Sequence, residues 1–416
     1  MKNYIAIIIA MFLYSTVGFA QTLDDYFQIA AENNPGLQAV YKDYEAALQK
    51  VPQVSTLPDP VFSFAYFVSP AETRVGPQVA KFSLTQMFPW FGTLKAQGNA
   101  AALMAEAKFQ SFMDVRNKLY YRVASAYYPL YELKNWIRIE QENIRILESY
   151  KTITNQKFKN GNGTMVDVLR VDIILKDAQT NLDILRNKEK PLATTFNKLL
   201  NRPENELVLL SDTLIAEILS ENFRKDSLIA SNPKLKALDL KFEAGKAAEV
   251  AARKQGLPKL GIGLDYVMVS ERTDISLPDN GKDILMPMVS VSIPIFRAKY
   301  NASVKEAQLM QESYTLQKQE VENTLISEYE MVWFQVQQQL QLVSLYEQQL
   351  QTSQQSLNLL FTSYGNSGKE FEEVLRMQQQ LLKYQKLSAT ALAQYEIAVA
   401  NINYLTSKTY RNENNR

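Results

Sequence analysis

The chain has no histidine and no cysteine. That removes the commonest general base, the commonest transition-metal ligand, the thiolate nucleophile and any disulfide framework. Carboxylates or a Ser-Lys pair remain as catalytic options, but no local signature for either stands out. The sequence therefore reads as a non-enzyme with no cofactor and no metal site. A net charge of +1, from 45 basic and 44 acidic residues, argues against a nucleic-acid partner. Past residue 20 no run approaches about eighteen apolar residues, so no transmembrane helix is expected.

The N-terminus supplies the first positive signal. Lys2 precedes an almost wholly apolar stretch from Ile5 to Val17, and Gly18 and Ala20 hold the small positions before Gln21. Residues 1–20 read as a signal peptide cut ahead of Gln21, since the stretch is short for a membrane span. An uncleaved N-terminal anchor is the alternative. Without cysteine no lipid attachment is expected, and export then leaves the periplasm, the outer membrane or the outside.

Two halves of the chain repeat one order of signals about two hundred residues apart. Asn34-Pro35 and Asn232-Pro233 each open a short helix, and a Leu-Pro break follows each (Leu57-Pro58, Leu257-Pro258). Two alternating runs come next, then Phe88-Pro89-Trp90-Phe91 in one half and Ile293-Pro294-Ile295-Phe296 in the other. A long polar helix, a glycine turn and the run Val-Leu-Arg (Val168-Leu169-Arg170; Val374-Leu375-Arg376) close each half. Such order marks an internal duplication. It divides the chain into repeat 1 at 21–203, an equatorial linker at 204–230, repeat 2 at 231–405 and a tail at 406–416.

The alternating runs fall in 60–88 and 259–295. Leu260, Ile262, Leu264, Tyr266 and Met268 alternate with mostly smaller residues, as do Phe62, Phe64, Tyr66 and Val68. Phe82 with Leu84, and Val289 with Val291 and Ile293, continue the pattern. One greasy and one small or polar face suits a strand of an outer-membrane barrel, and a soluble sandwich stays open as the alternative. Four strands cannot close a barrel, and open edges in lipid are forbidden. A membrane role therefore requires several copies.

The helices dominate by length. The patterns from about Lys95 to Lys159 and from about Ala302 to Ser363 would each run roughly 90–100 Å. Leu119, Val123, Leu130, Leu133 and Leu147 in the first, and Leu325, Val332, Val336, Leu350 and Leu357 in the second, lie on 4-3 heptad seams. Pro129 should kink the first by removing the bond to the Ser125 carbonyl. The turns Lys159-Asn160-Gly161-Asn162-Gly163 and Tyr364-Gly365-Asn366-Ser367-Gly368 should stop each helix in a left-handed cap. Thr164 and Asp167 have capping-box spacing.

This duplicated pattern resembles the TolC family of outer-membrane efflux factors, over residues 21 to about 410. The tip segments Phe158-Lys-Asn-Gly-Asn-Gly-Thr-Met-Val-Asp-Val-Leu-Arg170 and Tyr364-Gly-Asn-Ser-Gly-Lys-Glu-Phe-Glu-Glu-Val-Leu-Arg376 carry it best. The glutamine-rich stretch from Met377 to Tyr384 looks like the heavy-metal efflux branch. The resemblance implies a mainly α fold with a small membrane β part. It also implies a homotrimer whose twelve-stranded barrel sits in outer-membrane lipid on a long periplasmic α-helical tunnel. The implied role is the exit duct of a tripartite pump, docked to a periplasmic adaptor and, through it, to an inner-membrane transporter of the RND type.

Residue roles follow as expectations. Tip docking falls to Gly161, Gly163, Leu169, Arg170, Gly365, Gly368, Leu375 and Arg376. Glu370, Glu372 and Glu373, with Lys369 and Arg376 as partners, would form an entrance gate, or else simply oppose the helix dipole. Met268, Met286 and Met288 invite a soft-metal path, against which plain packing stands. The rival from another class is a periplasmic or secreted coiled-coil scaffold without a pore, and carboxylate-based glycan hydrolysis is a remote third.

Overall fold

A computed structural model describes residues 22–210, 214, 216, 219, 229–367 and 371–407. The signal segment at 1–20, much of the linker at 204–230 and nearly all of the tail at 406–416 lie outside the described residues. In chain order the first half comprises α1 (Leu23–Asn33), α2 (Pro35–Ser55), β1 (Val61–Thr73), β2 (Gly76–Phe88), α3 (Thr93–Lys159) and α4 (Met165–Leu199). The second comprises α5 (Pro233–Gln255), β3 (Lys259–Val269), β4 (Ile284–Ser292), α6 (Ala298–Ser367) and α7 (Phe371–Leu405). The fold is mainly α with one small antiparallel sheet, built as a duplication.

Equivalent asparagines close the two halves. Asn34 caps α2 by accepting from the Leu37 N–H at 3.0 Å, and its Nδ2 donates to the Leu199 carbonyl at 2.8 Å. Asn232 donates to the Leu405 carbonyl at 3.0 Å. Pro35 and Pro233 follow at the first helical position, where a missing N–H costs nothing. Each repeat thus ties its first helix to the end of its last.

The chain forms two compact units that cut across the repeats. One gathers the segments up to Ala39, Asp114–Asn232 and from Asn323 onward; the other gathers Val40–Met113 and Pro233–Glu322. The second holds the sheet, of order β1-β2-β3-β4, with every pair antiparallel. Register places Phe62, Leu84, Leu264 and Pro287 in one row and Phe64, Phe82, Tyr266 and Leu285 in the next. All four alternating runs therefore turn their bulky side chains to a single face. On β3 that face is exposed, whereas Gly261, Gly263, Asp265, Val267 and Val269 opposite are buried.

The small face has its own packing logic. A Cβ at Gly261 would fall 2.2 Å from Ser290 Oγ and 2.6 Å from Met87 Sδ, so glycine admits both side chains. Met288 reaches over Gly263 in the same way. Met286 and Met288 share this small face, whereas Met268 lies on the bulky one. Lys81 Nζ sits 2.6 Å from a carboxylate oxygen of the buried Asp265. β1 and β4 each pair on one side only.

In the same unit Glu249 ties α5 to α6. Its carboxylate accepts from Gln308 at 3.1 Å, Gln311 at 3.0 Å and Arg253 at 2.6 Å. The helices approach closely there, since a Cβ at Gly245 would lie 2.9 Å from Gln311 Cγ.

In the other unit both heptad seams turn inward. Leu119, Val123, Leu130, Leu133 and Leu147 of α3 are buried, as are Leu325, Val332, Val336 and Leu357 of α6. Helix α3 runs unbroken through Pro129. Its seam includes one buried carboxylate, Glu140, which pairs with Lys386 of α7 and accepts from Asn143 at 3.3 Å. No described helix is long and apolar enough to cross a membrane.

The hydrogen bonds from Gln311, Arg253 and Gln308 pull the Glu249 carboxyl down to about 2. A depressed carboxyl stabilises the folded state above its unfolded value and loses that contribution as pH falls through the folded one. The contribution is therefore lost between about pH 4.5 and about pH 2. Glu249→Gln should lower stability at neutral pH by about 1–2 kcal/mol and flatten the acid decline across that window, as read from helical circular dichroism melts.

Candidate functional site

The tip of the first hairpin is a Schellman turn. The Asn162 N–H donates to the Lys157 carbonyl at 2.8 Å and the Gly161 N–H to Phe158 at 3.0 Å, with Gly161 at φ 73°. A Cβ at Gly161 would meet nothing, so the requirement for glycine there is conformational. Gly163 is different, because a Cβ would lie 3.1 Å from Lys157 Cβ. Thr164 opens α4 with a capping box, its hydroxyl accepting from the Asp167 N–H at 3.2 Å.

The second tip departs from the sequence expectation. Helix α6 continues through Gly365 to Ser367, so Gly365 is a helical residue and not a left-handed cap. Nothing crowds the space beside it, and glycine permits a stop without forcing one. Gly368, Lys369 and Glu370 lie outside the described residues.

A cross-hairpin core joins the two tips. Tyr150, Val171 and Leu175 pack with Leu357, Tyr364, Phe371, Val374 and Leu375. The Tyr364 and Phe371 rings stand 4.8 Å apart, and Tyr150 stacks on Phe361 at 5.4 Å. Burial pushes the Tyr150 hydroxyl up to about 12. Lys157 reaches across to donate to the Tyr364 carbonyl at 2.8 Å, with its ammonium 4.5 Å above the Tyr364 ring. It neutralises carbonyl groups at the end of α6, where the helix dipole is negative. Burial and the nearby Asp167 charge raise the Tyr364 hydroxyl.

Charge pairs complete the arrangement. Arg170 of α4 lies 2.8 Å from Glu372 of α7, and Arg376 pairs with Glu373 within α7. Lys151 bonds Asp172 at 2.5 Å and Lys176 bonds it at 3.0 Å, and these two lysines, Lys151 foremost, hold that carboxyl below the usual range. Both expected gate carboxylates that are described thus already face arginines. The two Val-Leu-Arg runs are not equivalent: Leu169 is 51% exposed, whereas Leu375 is 4% exposed inside the core. Leu375 therefore shapes the tip from within and is not at its surface. Lys157, Tyr150 and Phe371 carry the join but were not singled out in the sequence, where the turn glycines, the charges and the two Val-Leu-Arg leucines drew notice.

The described chain thus carries a four-stranded sheet, bulky on one face and unpaired at both edges, together with two long helical hairpins. Residues 226–407 match the model of the outer membrane efflux protein family. The pyoverdine export outer membrane protein OpmQ of Pseudomonas putida is 23% identical over 190 residues, 45% of this chain and 40% of that protein. The alkaline protease secretion protein AprF of Pseudomonas aeruginosa is 24% identical over 266 residues, 59% of this chain and 55% of that protein. The chain thus matches about half the length of these relatives. The outer-membrane channel OprN superposes with a TM-score of 0.76 at 14% identity, over 93% of this chain and 90% of that one. The partial family match and the two relatives agree in a likeness to outer membrane efflux proteins, and the fold is that of OprN.

Gly161→Ala should cost about 1 kcal/mol, the penalty for a side chain in a left-handed position. Gly161→Asn should cost less, because asparagine tolerates that conformation. Amide exchange at residues 158–164 should rise in the alanine variant and only slightly in the asparagine variant. Equal protection in both would remove the conformational reason for glycine.

Proposed function

We propose that the chain is the outer-membrane exit duct of a tripartite export system, working as a homotrimer whose three sheets close a twelve-stranded barrel. It passes solutes passively from its periplasmic tips to the outside. The sheet is the observation that carries this reading. Its bulky side chains share one exposed face, its other face mixes glycine, serine, threonine and the Lys81–Asp265 pair with methionine and valine, and β1 and β4 each lack a neighbour. Strand directions alternate, so β4 of one copy meets β1 of the next antiparallel, and copies extend one continuous ladder. A periplasmic adaptor and, beyond it, an inner-membrane transporter of the RND type are the proposed partners.

OpmQ is named for pyoverdine export and AprF for alkaline protease secretion. Cargo so different suits a duct that has no substrate site. Met87 and Met288 fill the spaces over Gly261 and Gly263, an arrangement that favours packing over a soft-metal path.

Docking is assigned to the tips. Gly161 and Gly163 set the first turn, Leu169 and Arg170 stand beside it, and Arg376 with Gly365 and Gly368 marks the second. Leu169 continues a strip of exposed apolar side chains on α4 with Met165, Val166 and Ile173. Glu372 and Glu373, with Glu370, are assigned to the entrance gate, where Arg170 and Arg376 hold two of the three carboxylates.

The chain should purify from membranes in mild detergent as a trimer that conducts in planar bilayers. A water-soluble, non-conducting monomer or dimer would overturn the duct and favour the scaffold reading. Arg170→Glu combined with Arg376→Glu should abolish cross-linking to the adaptor while the trimer persists; intact cross-linking removes these residues from the docking tip. Glu372→Gln with Glu373→Gln should raise single-channel conductance and lower cation preference, and unchanged recordings would dismiss the gate.

A further inference from the structure

A basic pocket lies where the strands meet the helices of the sheet-bearing unit. It has a volume of about 300 Å³ and is lined by Trp90, Thr93, Lys254, Lys259, Lys299 and Tyr300 among others, with no carboxylate in its wall. These residues come from the segment after β2, the ends of α3, α5 and α6, and the first residue of β3. Lys254, Lys259 and Lys299 line one cavity, the Lys299 ammonium lying 4.8 Å from the Tyr300 ring centroid, and like charges gathered so repel each other unless an anion sits among them.

Two further observations point to such an anion. The cavity adjoins the N-terminal turns of α3 and α6, helices of 67 and 70 residues, and neither has an acidic residue in its first turn. Acidic side chains are favoured there, yet Lys95 and Lys299 stand in those turns instead. Independently, Thr93 lines the cavity at 3% exposure, and its buried hydroxyl oxygen has no hydrogen-bond partner. A buried hydroxyl without a partner is costly. A phosphate oxygen would satisfy it and accept from the lysines as well. Lys254 spends one donor on the Phe91 carbonyl at 3.1 Å and has two others.

The surroundings indicate where the phosphate comes from. Phe91 next to the cavity is 76% exposed, and Ile295 and Phe296, just ahead of α6, are as bare. Apolar side chains beside clustered lysines form an amphipathic rim that matches acyl chain next to headgroup. We propose that this pocket holds the phosphate of an anionic lipid headgroup. The proposal rests on the barrel reading, which puts the strand ends at the membrane surface.

The test is native mass spectrometry of the full chain in detergent with phosphatidylglycerol, phosphatidylcholine, diacylglycerol or inorganic phosphate added singly. Phosphatidylglycerol should be retained in preference to the other two lipids, and the preference should fade as salt rises. Lys254→Gln, Lys259→Gln and Lys299→Gln together should weaken retention by roughly fivefold per lysine. The three arginine replacements should keep it, which separates lost charge from lost fold. Equal retention of all three lipids overturns the proposal, as does inorganic phosphate that displaces the lipid at matched concentration. A chain that conducts yet shows no preference overturns the pocket and leaves the duct standing. A chain that shows the preference without conducting supports the pocket and counts against the duct.

Discussion

Backbone amides in hydrocarbon must find partners within the protein, and in the proposed barrel that requirement governs the sheet. β1 and β4 each offer a bare edge, and nothing else in the same unit is a strand that could cover it. Everything else about the sheet is consistent with an answer supplied by further copies. The bulky face is uniform, the small face holds Lys81 against Asp265, and Gly261 and Gly263 leave room for side chains of neighbouring strands. A soluble sandwich would need a second sheet against Phe62, Phe64 and Val289, and those side chains are exposed in the chain.

The helical hairpins solve a different problem. Within the chain their cohesion depends on narrow seams and on cross-links at chosen heights, while apolar side chains such as Ile173 and Leu359 stay exposed. Glu140 with Lys386 is one such cross-link, a buried carboxylate paired with a partly buried lysine beside the buried Asn143 and Gln378. Such a pair adds little net stability but penalises any slip along the seam, because a shifted register would strand both charges. At the tip Lys157, Arg170 and Glu372 add polar contacts between the hairpins, and the rings of Tyr150, Tyr364 and Phe371 fill the space beneath.

Much of this architecture is legible in the residues. Alternation with a period of two places Leu260, Ile262 and Leu264 on one face whatever their neighbours do, and the heptad spacing of Leu325, Val332 and Val336 does the same for a helix. What is hidden depends on the register between distant segments. Lys157 and Tyr364 meet only because two hairpins align, and no local pattern sets that alignment. Gly365 resembles Gly161 in the sequence, yet the backbone after Gly161 turns and bonds back to Lys157 and Phe158, whereas Gly365 stays inside its helix. The repeated Val-Leu-Arg misleads because the buried face differs in width. Val168 and Val374 both face inward, but on α7 that face also takes in Phe371 and Leu375, whereas on α4 Leu169 stays outside it. The lysines at 254, 259 and 299 converge from separate elements and carry no common motif.

The duplication also sets the symmetry of the proposed trimer's rim. Three copies of two similar hairpins give six corners, and whatever docks there meets nearly the same surface every sixty degrees. The corners are not identical, however. One kind turns on a left-handed glycine and shows Leu169 to water; the other extends its helix past Gly365 and hides Leu375. A ring-shaped partner of six equal subunits would therefore have to grip two alternating shapes, and its own subunits would be bent into pairs by the surface they hold.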